Sequence, residues 1–474
     1  MKKIVIIGAG PAGLACAYYL TKKSPKQKGQ LQILEATKEI GGISRTVVKN
    51  GFRFDLGGHR FFTKNEEINQ LFDEVVGKDV LKVKRKTPIY FRKKYFDYPI
   101  KISNVMKNLG FWTSLRIIFD YLYIKIVNLI SPRPDKTFED WITNRFGKTL
   151  FNFFFKSYTE KLWGLPTNKI GAEFAAQRIK GMSVFAVIKN ALITNSKNRP
   201  KTLIDQFKYP RLGIGQFYEK MAAQIGRDKI AFNNEVRKIN LKNNRVESII
   251  VSTKAGKKLI KVDELISSMP ITDLVKSLYP KAPAKVLSAA KKLQYRGWIG
   301  VAIMIKKPHV NKFTWVYVHE PKAAIGRFIE PKNWSKFMVP DSKKSSLVAE
   351  MWDWEDGKIW ASPDQKIIDL AIHDLVDIMG FLKRKEIIDA FVIRAPKAYP
   401  TYKSGYKRHL KVVKDYLSKI KNLQLIGRYG TFRYNNMDHS IETGILAAKN
   451  LIAGKKVYDI DQVNAEAEYH EEKK

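Results

Sequence analysis

Three glycines near the amino terminus have the spacing of a turn that binds a diphosphate. Gly8, Gly10 and Gly13 follow the β-branched run from Lys3 to Ile7, and the apolar stretch after them predicts a helix from Pro11 to Leu20. In such a turn the first glycine permits a tight bend and the second lets the backbone approach the anion. The third allows close contact between helix and strand, and the N–H groups of the helix N-terminus face the diphosphate.

An acidic residue completes the pattern of a dinucleotide-binding unit. The segment from Leu31 to Leu34 predicts a second strand, and Glu35 follows it directly. A carboxylate at this position can accept hydrogen bonds from both hydroxyls of an adenosine ribose. The order of strand, glycines, helix, strand and acid therefore predicts a dinucleotide site, with an ordinary βαβ turn as the alternative.

Two further glycine-bearing segments could extend this site. Gly41 and Gly42 precede Arg45, and this order would place backbone amides and a cation against the same diphosphate. The segment Gly57-Gly58-His59 could press its backbone onto a flat cofactor ring, whereas a lone histidine is more often a structural hydrogen-bonding group.

A second strand–turn–helix pattern lies at the carboxy-terminal end. The segment from Leu423 to Ile426 predicts a strand, Gly427 and Arg428 begin a turn, and Asp438 opens a predicted helix that runs from Ser440 to Ile452. The positive end of that helix dipole would face the part of a flavin that carries negative charge in the reduced form.

Composition narrows the class of protein. The 474 residues include 45% hydrophobic side chains, which excludes a mainly disordered chain and predicts more than one domain. Basic residues outnumber acidic ones by 86 to 45, and the net charge of +41 favours anionic partners. Cys16 is the single cysteine, which indicates a reducing, cytoplasmic location. The histidines lack ligand spacing, so no metal site is predicted.

Two apolar stretches raise the question of a membrane. The uncharged run from Ile4 to Thr21 could be a signal peptide, but its glycines and Pro11 would break an apolar helix. The stretch from Leu109 to Ile130 carries charges that argue against a membrane span. It predicts a buried core helix, and the alternative is a helix on an acidic membrane surface with its basic residues at the headgroups. The charges in this stretch are Arg116, Asp120 and Lys125.

The rest of the chain divides into helical and alternating patterns. From Ile100 to Lys197 apolar residues recur every three or four positions, which predicts a mostly helical region. The basic stretch from Lys82 to Lys94 predicts a solvated face or a hairpin, and the alternative is a phosphate-binding patch. Between Gly297 and Trp354 several segments alternate in hydrophobicity with a period of two residues, which predicts an antiparallel sheet. A helix is predicted to follow from Gln365 to Met379. The predicted strands of that sheet are Trp298 to Ile305, Thr314 to Val318, Ile325 to Phe328 and Leu347 to Trp352.

Four motifs together resemble one superfamily over nearly the whole chain. They are Gly57-Gly58-His59, Leu162-Trp163-Gly164-Leu165-Pro166 with Arg178, Ala398-Tyr399-Pro400, and the segment from Gly427 to Ser440. The chain resembles the FAD-binding superfamily of amine oxidases, protoporphyrinogen oxidases, phytoene desaturases and UDP-galactopyranose mutases. Among these it most resembles the mutases and their protoporphyrinogen-oxidase-like bacterial relatives.

The resemblance implies an α/β fold with a Rossmann-like FAD-binding domain and an interleaved substrate domain made of a helical segment and an antiparallel sheet. The implied FAD-binding domain is discontinuous, over 1–95, 205–290 and 395–460; the substrate domain covers 96–204 and 291–394, and 461–474 is a charged tail. The residues assigned to FAD are Gly8, Gly10, Pro11, Ala12, Gly13, Glu35, Ala36, Gly42, Arg45, Gly57, Gly58, His59, Val236, Met269, Gly427, Arg428, Met437, Asp438 and Ser440.

For activity, the resemblance to the mutases implies redox-neutral chemistry on a nucleotide-linked sugar, in which N5 of reduced FAD attacks the anomeric carbon and the sugar ring contracts. NAD(P)H is a candidate reductant. Because charge grows on the departing diphosphate, the site needs cations and hydrogen-bond donors there. The implied catalytic residues are His59, Arg178, Tyr399 and Tyr434. The implied substrate-binding residues are Tyr98, Trp163, Arg178, Tyr399, Tyr434 and Asn436.

One departure from the family pattern leaves the reaction open. The family's second diphosphate-binding arginine would fall between Ile299 and Ile305, where this sequence has none, and Lys306 or Lys307 would have to replace it. Lysine is a point charge without the bidentate fork of arginine. The alternative function is an FAD-dependent oxidoreductase of the protoporphyrinogen oxidase, amine oxidase or phytoene desaturase type. A nucleic-acid-binding protein would not need the glycine motifs. The expected partner is thus a small molecule and not a nucleic acid, with the oligomeric state left open.

Overall fold

Five short parallel strands form the sheet that carries the amino-terminal glycine turn. A computed structural model of the chain describes residues 2–24, 30–98, 102–172, 175 and 205–465. In this sheet Ile4–Ile7 pairs with Leu31–Leu34 on one side and with Glu264–Ser267 on the other. Ile4–Ile7 is buried along its whole length, as expected for a strand covered on both faces. The strand order is Leu423–Leu425, Glu264–Ser267, Ile4–Ile7, Leu31–Leu34 and Ile230–Ala231.

The carboxyl ends of these strands meet at one edge of the sheet. The Gly8 N–H donates to the Leu34 carbonyl at 2.8 Å, and the Ser268 N–H donates to the Ile7 carbonyl at 3.0 Å. Parallel strands point the same way, so the turns that follow them converge. The chain returns to this sheet at Glu264–Ser267, a strand that ends before Pro270.

Three helices pack around this sheet and position its turns. The first, Pro11–Lys23, continues three residues past the predicted end at Leu20 and packs against both Gly215–Ile225 and Met437–Ala453. Its buried face consists of small and aliphatic residues, which allows close approach of the neighbouring helices.

A seven-stranded sheet forms the second large layer. It is antiparallel as predicted, except that Trp315–Val318 and Ile89–Phe91 run parallel to each other. The basic stretch from Lys82 to Lys94 contributes a hairpin whose turn is Arg92 and Lys93. The strand order is Ile387–Pro400, Tyr295–Ile305, Ser345–Asp353, Arg327–Ile329, Trp315–Val318, Ile89–Phe91 and Lys94–Phe96.

The long strand Ile387–Pro400 has no counterpart in the predicted elements. Pro396 argues against a strand, because proline cannot donate to a sheet ladder. The structure accommodates it in a bulge, where the register shifts between Arg296 and Trp298 and Lys397 takes a φ of 53°. The strand Gln206–Pro210 also has no counterpart in the predicted elements, and it pairs with the distant strand Val80–Lys84.

The remaining strands form small sheets. Thr46–Lys49 pairs with Phe52–Asp55, and Val80–Lys84 pairs with Gln206–Pro210. A four-stranded sheet has the strand order Gly256–Lys261, Arg245–Thr253, Glu235–Lys242 and Leu278–Tyr279.

The predicted helical region is helical where the structure describes it. The helices up to residue 172 are Glu66–Val76, Ile102–Leu109, Phe111–Ile130, Phe138–Phe146, Lys148–Phe151 and Ser157–Trp163. Most of the remainder of the stretch from Ile100 to Lys197 lies outside the described residues. The later helices are Ile271–Ser277, Ala284–Lys292, Asp364–His373, Tyr406–Leu417 and Gly427–Gly430. The helix predicted from Gln365 to Met379 is an α-helix over Asp364–His373, followed by one π-helical turn over Asp374–Ile378.

Two large hydrophobic clusters accompany the two large sheets. One surrounds the parallel sheet and the three helices on it, and the other lies between the antiparallel sheet and the helix Asp364–His373. The strands of the parallel sheet all fall within the predicted FAD-binding ranges. The division of the chain into two interleaved domains and a charged tail stays a prediction.

Candidate active site

A cavity of about 580 Å³ lies along the carboxyl edge of the parallel sheet. Its wall includes turns that follow four of the strands, with Gly10, Glu35, Ser268 and Gly427 among their residues. Small-molecule sites in proteins usually occupy about 300–1,000 Å³. The predicted cofactor residues in this wall are Gly8, Gly10, Pro11, Ala12, Glu35, Ala36, Gly42, His59, Val236, Met269, Gly427, Arg428, Met437 and Ser440.

The glycine turn keeps its backbone accessible because neighbouring atoms exclude side chains from it. Gly8 has a φ of 98°, and a Cβ there would lie 2.2 Å from Ser268 Oγ. A Cβ on Gly13 would lie 2.0 Å from the Gly8 carbonyl oxygen, so Gly13 supports the turn from outside the cavity wall. Gly10 faces Gly42, where a Cβ would lie 3.4 Å from the Gly10 Cα. The backbones of Gly10 and Gly42 are therefore in contact, and both line the cavity, where their N–H groups can meet an anion.

The Glu35 carboxylate is held in a fixed orientation at the end of the second strand. Its Oε2 accepts a hydrogen bond from the Ala9 N–H at 2.9 Å, and its Oε1 accepts from the N–H and hydroxyl of Thr37 at 2.9 and 2.8 Å. A carboxylate has about four acceptor positions, so capacity for ribose hydroxyls is left. Arg45 lies outside the wall; its Nη1 donates to the Gly42 carbonyl and its Nε lies 2.7 Å from Glu39 Oε2.

The carboxy-terminal turn and helix sit directly on the amino-terminal ones. A Cβ on Gly444 would lie 2.1 Å from the Ala12 carbonyl oxygen, so only glycine permits this helix crossing. The Gly427 N–H donates to Thr443 Oγ1 at 2.9 Å, which ties the turn to the helix that follows it. The two glycine-bearing segments therefore share one cavity, although they are more than 400 positions apart in the sequence.

The start of that helix also lies in the cavity wall. Asn436 is its N-cap, and the Asn436 N–H donates to His439 Nδ1 at 3.4 Å. Asn436 lines the cavity while its side chain caps the helix, and its predicted contact with a sugar stays a prediction. Asp438 lies outside the wall, and burial raises the pKa of its carboxyl group.

His59 lies in the wall between two arginines. Burial, together with the charges of Arg428 and Arg327, lowers the pKa of His59 to about 3. The imidazole is therefore neutral near pH 7. The backbone of Gly57, which has a φ of 104°, and of Gly58 lies close to Arg327. A Cβ on Gly58 would lie 3.7 Å from Arg327 Nη1.

Arg327 belongs to a buried ion pair next to this loop. Its Nε and Nη2 donate to the two carboxylate oxygens of Glu350 at 2.9 and 2.6 Å. The Trp298 indole N–H donates to Glu350 Oε2 at 2.9 Å, and Glu350 is fully buried. A bidentate pair with a third donor holds the guanidinium in one orientation.

The predicted substrate residues Trp163, Tyr399 and Tyr434 form one aromatic cluster. The Trp163 ring centroid lies 6.3 Å from that of Tyr399 and 6.0 Å from that of Tyr434, and the two tyrosines stack at 5.5 Å. The Arg428 guanidinium lies 5.5 and 4.8 Å from the two tyrosine rings. Burial and the neighbouring Tyr434 raise the pKa of Tyr399, so its hydroxyl remains a proton donor.

The cluster continues outward through rings that sequence reasoning did not select. Tyr158 stacks on His319 at 5.0 Å and contacts Tyr317 at 5.5 Å. Burial raises the pKa of Tyr158 well above its usual range, and Arg327 is the neighbouring charge that opposes this. Tyr98 lies 5.2 Å from Tyr317 and is 39% exposed, so it sits at the outer rim of the cluster.

The sequence offers Arg178, and either Lys306 or Lys307, as cations for the substrate diphosphate. Arg178 lies outside the described residues. Lys306 and Lys307 follow the end of Tyr295–Ile305 that pairs with Ile387, whereas Tyr399 pairs with Arg296 at the opposite end. Ten residues of strand span about 33 Å. Neither lysine therefore lies beside Tyr399, which answers the question that the sequence leaves open.

Sequence reasoning missed Arg327, Glu350 and Tyr158. A signal for Arg327 was present, because it is the charged residue inside the predicted strand from Ile325 to Phe328, where a buried charge needs a partner. Its partner Glu350 lies in a neighbouring strand of the sheet, where Arg327 and Glu350 are direct partners in the register. Cross-strand register cannot be read from either segment alone.

Comparison with known proteins identifies the family. The model of the flavin containing amine oxidoreductases matches residues 11–452 of the chain. The chain belongs to this family. As a member of the flavin containing amine oxidoreductases, it is an FAD-dependent enzyme of the amine oxidase superfamily with the predicted mixed α/β fold.

Three relatives illustrate the range of the family. A crystal structure of reduced UDP-galactopyranose mutase matches with a TM-score of 0.82 and 24% identity, over 98% of this chain and 99% of that chain. The 1-hydroxycarotenoid 3,4-desaturase of Flavobacterium sp. (strain P99-3) is 26% identical over 330 residues, which are 60% of this chain and 61% of the desaturase, less than two thirds of its length. The coproporphyrinogen III oxidase of Bacillus subtilis (strain 168) is 21% identical over 88% of this chain and 91% of that protein.

The residues present fit FAD. The facing backbones of Gly10 and Gly42 leave room that a Cβ would fill, as a diphosphate requires. Glu35 offers a fixed carboxylate at the ribose position, and His59 follows two glycines in the part of the wall expected to meet the ring. The amino-terminal end of Met437–Ala453 reaches the same wall.

Proposed function

We propose that this enzyme acts on a nucleotide-linked sugar with reduced FAD, by ring contraction or a related reaction. The observation that carries the proposal is the grouping of Trp163, Tyr399 and Tyr434 around Arg428, next to the cavity assigned to FAD. The match to a reduced UDP-galactopyranose mutase over 98% of the chain supports it at the level of the fold.

The grouping supplies what a departing diphosphate needs. Tyrosine hydroxyls donate hydrogen bonds to phosphate oxygens, and a nearby guanidinium offsets their charge. Arg428 is fixed for this role, because its Nε donates to the Asn435 carbonyl at 2.9 Å and its Nη1 to the Ala398 carbonyl at 3.0 Å. The indole of Trp163 is buried against both tyrosines and helps to hold their rings in place.

The chain's own residues hold and orient the reactants. FAD, when bound, supplies a ring that can give or accept an electron pair. Glu35 and the facing turns of Gly10 and Gly42 would bind its adenosine and diphosphate parts. Neutral His59 can donate or accept one hydrogen bond at the ring without adding a positive charge. Arg327 then adds a cation that Glu350 keeps in place.

A second candidate function is the oxidation of an apolar substrate with FAD as the hydride acceptor. The relatives named as a carotenoid desaturase and a coproporphyrinogen oxidase favour it. The ring-lined cluster from Trp163 to Tyr158 would also suit an apolar molecule. An apolar substrate, however, would make no use of the hydroxyls of Tyr399 and Tyr434 as hydrogen-bond donors.

The test compares the two reactions in the same preparation. The purified flavoprotein, reduced anaerobically with dithionite, is incubated with UDP-galactopyranose, and the products are separated by chromatography. We expect a ring-contracted UDP-sugar and a change in the flavin spectrum on adding UDP. Oxidation of a porphyrinogen or a carotenoid, with no spectral response to UDP, would overturn the proposal in favour of the second candidate.

Substitutions locate the diphosphate site. Tyr434→Phe should weaken UDP binding about ten- to hundred-fold, because a hydrogen bond to a charged group contributes about 1.5–3 kcal/mol. Arg178→Ala should abolish the response to UDP. The matched control is Tyr458→Phe, at a ring that is 44% exposed, and it should leave UDP binding unchanged. Equal loss in all three variants would contradict the assignment.

A further inference from the structure

One side of the helix Phe111–Ile130 packs on the protein through both polar and apolar side chains. Asp120 Oδ2 accepts a hydrogen bond from the Thr149 N–H at 2.9 Å, and Asn128 Nδ2 donates to the Asn144 carbonyl at 2.7 Å. These bonds attach the helix to the helices Phe138–Phe146 and Lys148–Phe151. On the same side Ile124 is buried and Ile117 packs against a buried cluster of aromatic and aliphatic residues.

The outward face of the same helix is apolar and aromatic. Trp112 is 79% exposed, Phe119 62% and Leu129 85%, and Leu122, Tyr123 and Ile126 are each at least half exposed. Single exposed apolar residues are ordinary, but a continuous apolar face marks a surface that another phase or molecule covers.

Exposed cations accompany this face. Arg116 and Lys125 are exposed on the helix itself, and Lys107 is exposed on the preceding helix Ile102–Leu109. The basic turn at Arg92 and Lys93 lies close by, because the neighbouring Lys94 Nζ donates to the Asn108 carbonyl at 2.6 Å. The acid of the helix, Asp120, faces inward, so the charges beside the apolar face are positive.

We propose that this face of Phe111–Ile130 docks the enzyme on an anionic membrane surface. The helix would lie in the plane of the interface, with its apolar side chains below the headgroups and its cations beside the lipid phosphates. Tryptophan and tyrosine favour this depth, because their rings are amphipathic. Within the described part of the chain, no helix has the length and apolar character that crossing a bilayer requires.

Charge separates a membrane from a second copy of the chain as the occupant. Two copies meeting through this face would bring Arg116 and Lys125 toward the same cations of the partner, in a protein of net charge +41. An anionic lipid surface instead complements them. The proposal does not depend on which reaction the flavin site performs.

The test uses the flavin-loaded enzyme and vesicles of phosphatidylcholine with or without phosphatidylglycerol. We expect co-sedimentation with the anionic vesicles at least about tenfold stronger than with the zwitterionic ones. Phe119→Ser/Ile126→Ser should reduce binding by about tenfold or more, and Arg116→Gln/Lys125→Gln should remove the preference for anionic lipid. The matched control is Leu259→Ser/Ile388→Ser, which alters exposed apolar residues elsewhere and should bind like the wild type.

A second readout keeps the test decisive if a variant folds poorly. Emission from Trp112, taken as the difference between wild type and Trp112→Phe, should shift to shorter wavelength on adding anionic vesicles. The proposal is overturned if the wild-type enzyme does not bind them, or if Phe119→Ser/Ile126→Ser binds equally well. The proposal is also overturned if the wild-type enzyme is a dimer, Phe119→Ser/Ile126→Ser is a monomer, and neither protein binds vesicles.

Discussion

Arg327, Glu350 and His59 show how single residues control charge beside the flavin site. The bidentate bonds between Arg327 and Glu350 at 2.9 and 2.6 Å bury two charges together, and the Trp298 indole adds a third bond. Removing one partner of such a pair typically costs about 3–5 kcal/mol, because the other charge is left unpaired. Burial, together with the charges of Arg428 and Arg327, lowers the pKa of His59 and keeps its imidazole neutral.

His59 predicts a pH dependence of stability. Its pKa is about 3 in the folded protein and about 6.5 in an unfolded chain, so the unfolded state binds more protons between these values. The contribution of His59 to the free energy of unfolding should therefore fall as the pH drops from about 6.5 toward 3. In His59→Gln this slope should be smaller, by up to about 1.4 kcal/mol per pH unit, the limit for one proton. Urea unfolding between pH 6 and pH 4 measures it.

The control for that experiment is His409→Gln, at the surface of the helix Tyr406–Leu417. Its slope should match that of the wild type. If His59→Gln and His409→Gln gave the same slope as the wild-type protein, His59 would not be held neutral by its surroundings.

At the scale of elements, Asp55 joins three segments behind the His59 loop. It accepts hydrogen bonds from the hydroxyls of Thr46 and Tyr209, both at 2.6 Å, and from the Ile214 N–H at 3.2 Å. These bonds connect the end of Phe52–Asp55 to the strand Gln206–Pro210 and to the helix that follows. Asp55 therefore sets where the chain enters Gly57 and Gly58.

Asp55 predicts a pH dependence of the opposite sign to that of His59. Burial raises its pKa to about 6, against about 3.9 in an unfolded chain, so the folded state binds more protons between these values. The contribution of Asp55 to the free energy of unfolding should fall as the pH rises from about 4 to about 6, by up to about 3 kcal/mol. Asp55→Asn should remove this fall in urea titrations, whereas the exposed control Asp356→Asn should retain it. Equal curves for both variants would contradict the raised pKa.

The elements differ in how far the sequence alone predicts them. Glycine turns and short β-branched strands are local, so the strand Ile4–Ile7, the turn at Gly10 and the helix after Asn436 follow from neighbouring residues. The strand Ile387–Pro400 does not, because its proline is tolerated only through a bulge against Tyr295–Ile305. Local pattern cannot supply a partner some hundred residues away.

The candidate site follows the same rule. The aromatic cluster was found because Trp163, Tyr399 and Tyr434 lie in recognisable motifs. Arg327 is not predicted because its role depends on Glu350 across the sheet, and the distance of Lys306 from Tyr399 depends on a strand pairing that the sequence does not show. Motifs therefore identify residues within recognisable segments, and the structure is needed for residues whose role depends on a partner across the sheet.

At the scale of the whole molecule, one helix crossing joins the two ends of the chain around the cofactor site. Gly444→Ala would place a Cβ 2.1 Å from the Ala12 carbonyl oxygen and 3.0 Å from the Cys16 N, both backbone atoms that cannot rotate away. We expect destabilisation by about 1–3 kcal/mol and a lower FAD content after dialysis, because the wall at Gly427 would move relative to Gly10. Urea unfolding and flavin absorbance measure the two effects.

The control on the same helix is Ile452→Ala, at a side chain that is 42% exposed. It should retain FAD like the wild type. If Gly444→Ala lost stability but kept its full FAD content, the crossing would support the fold without shaping the site.

The meeting of distant segments at one sheet edge also bears on how the protein is made. The ribosome releases Ile4–Ile7 and its glycine turn first, but the strand Leu423–Leu425 and the helix Met437–Ala453 that complete the pocket are translated some four hundred codons later. Until then the nascent chain holds an unfinished sheet with an open edge, a state prone to aggregation. Chaperone demand should therefore last until the carboxy-terminal segments are made, and cofactor capture should be a late event in its biogenesis.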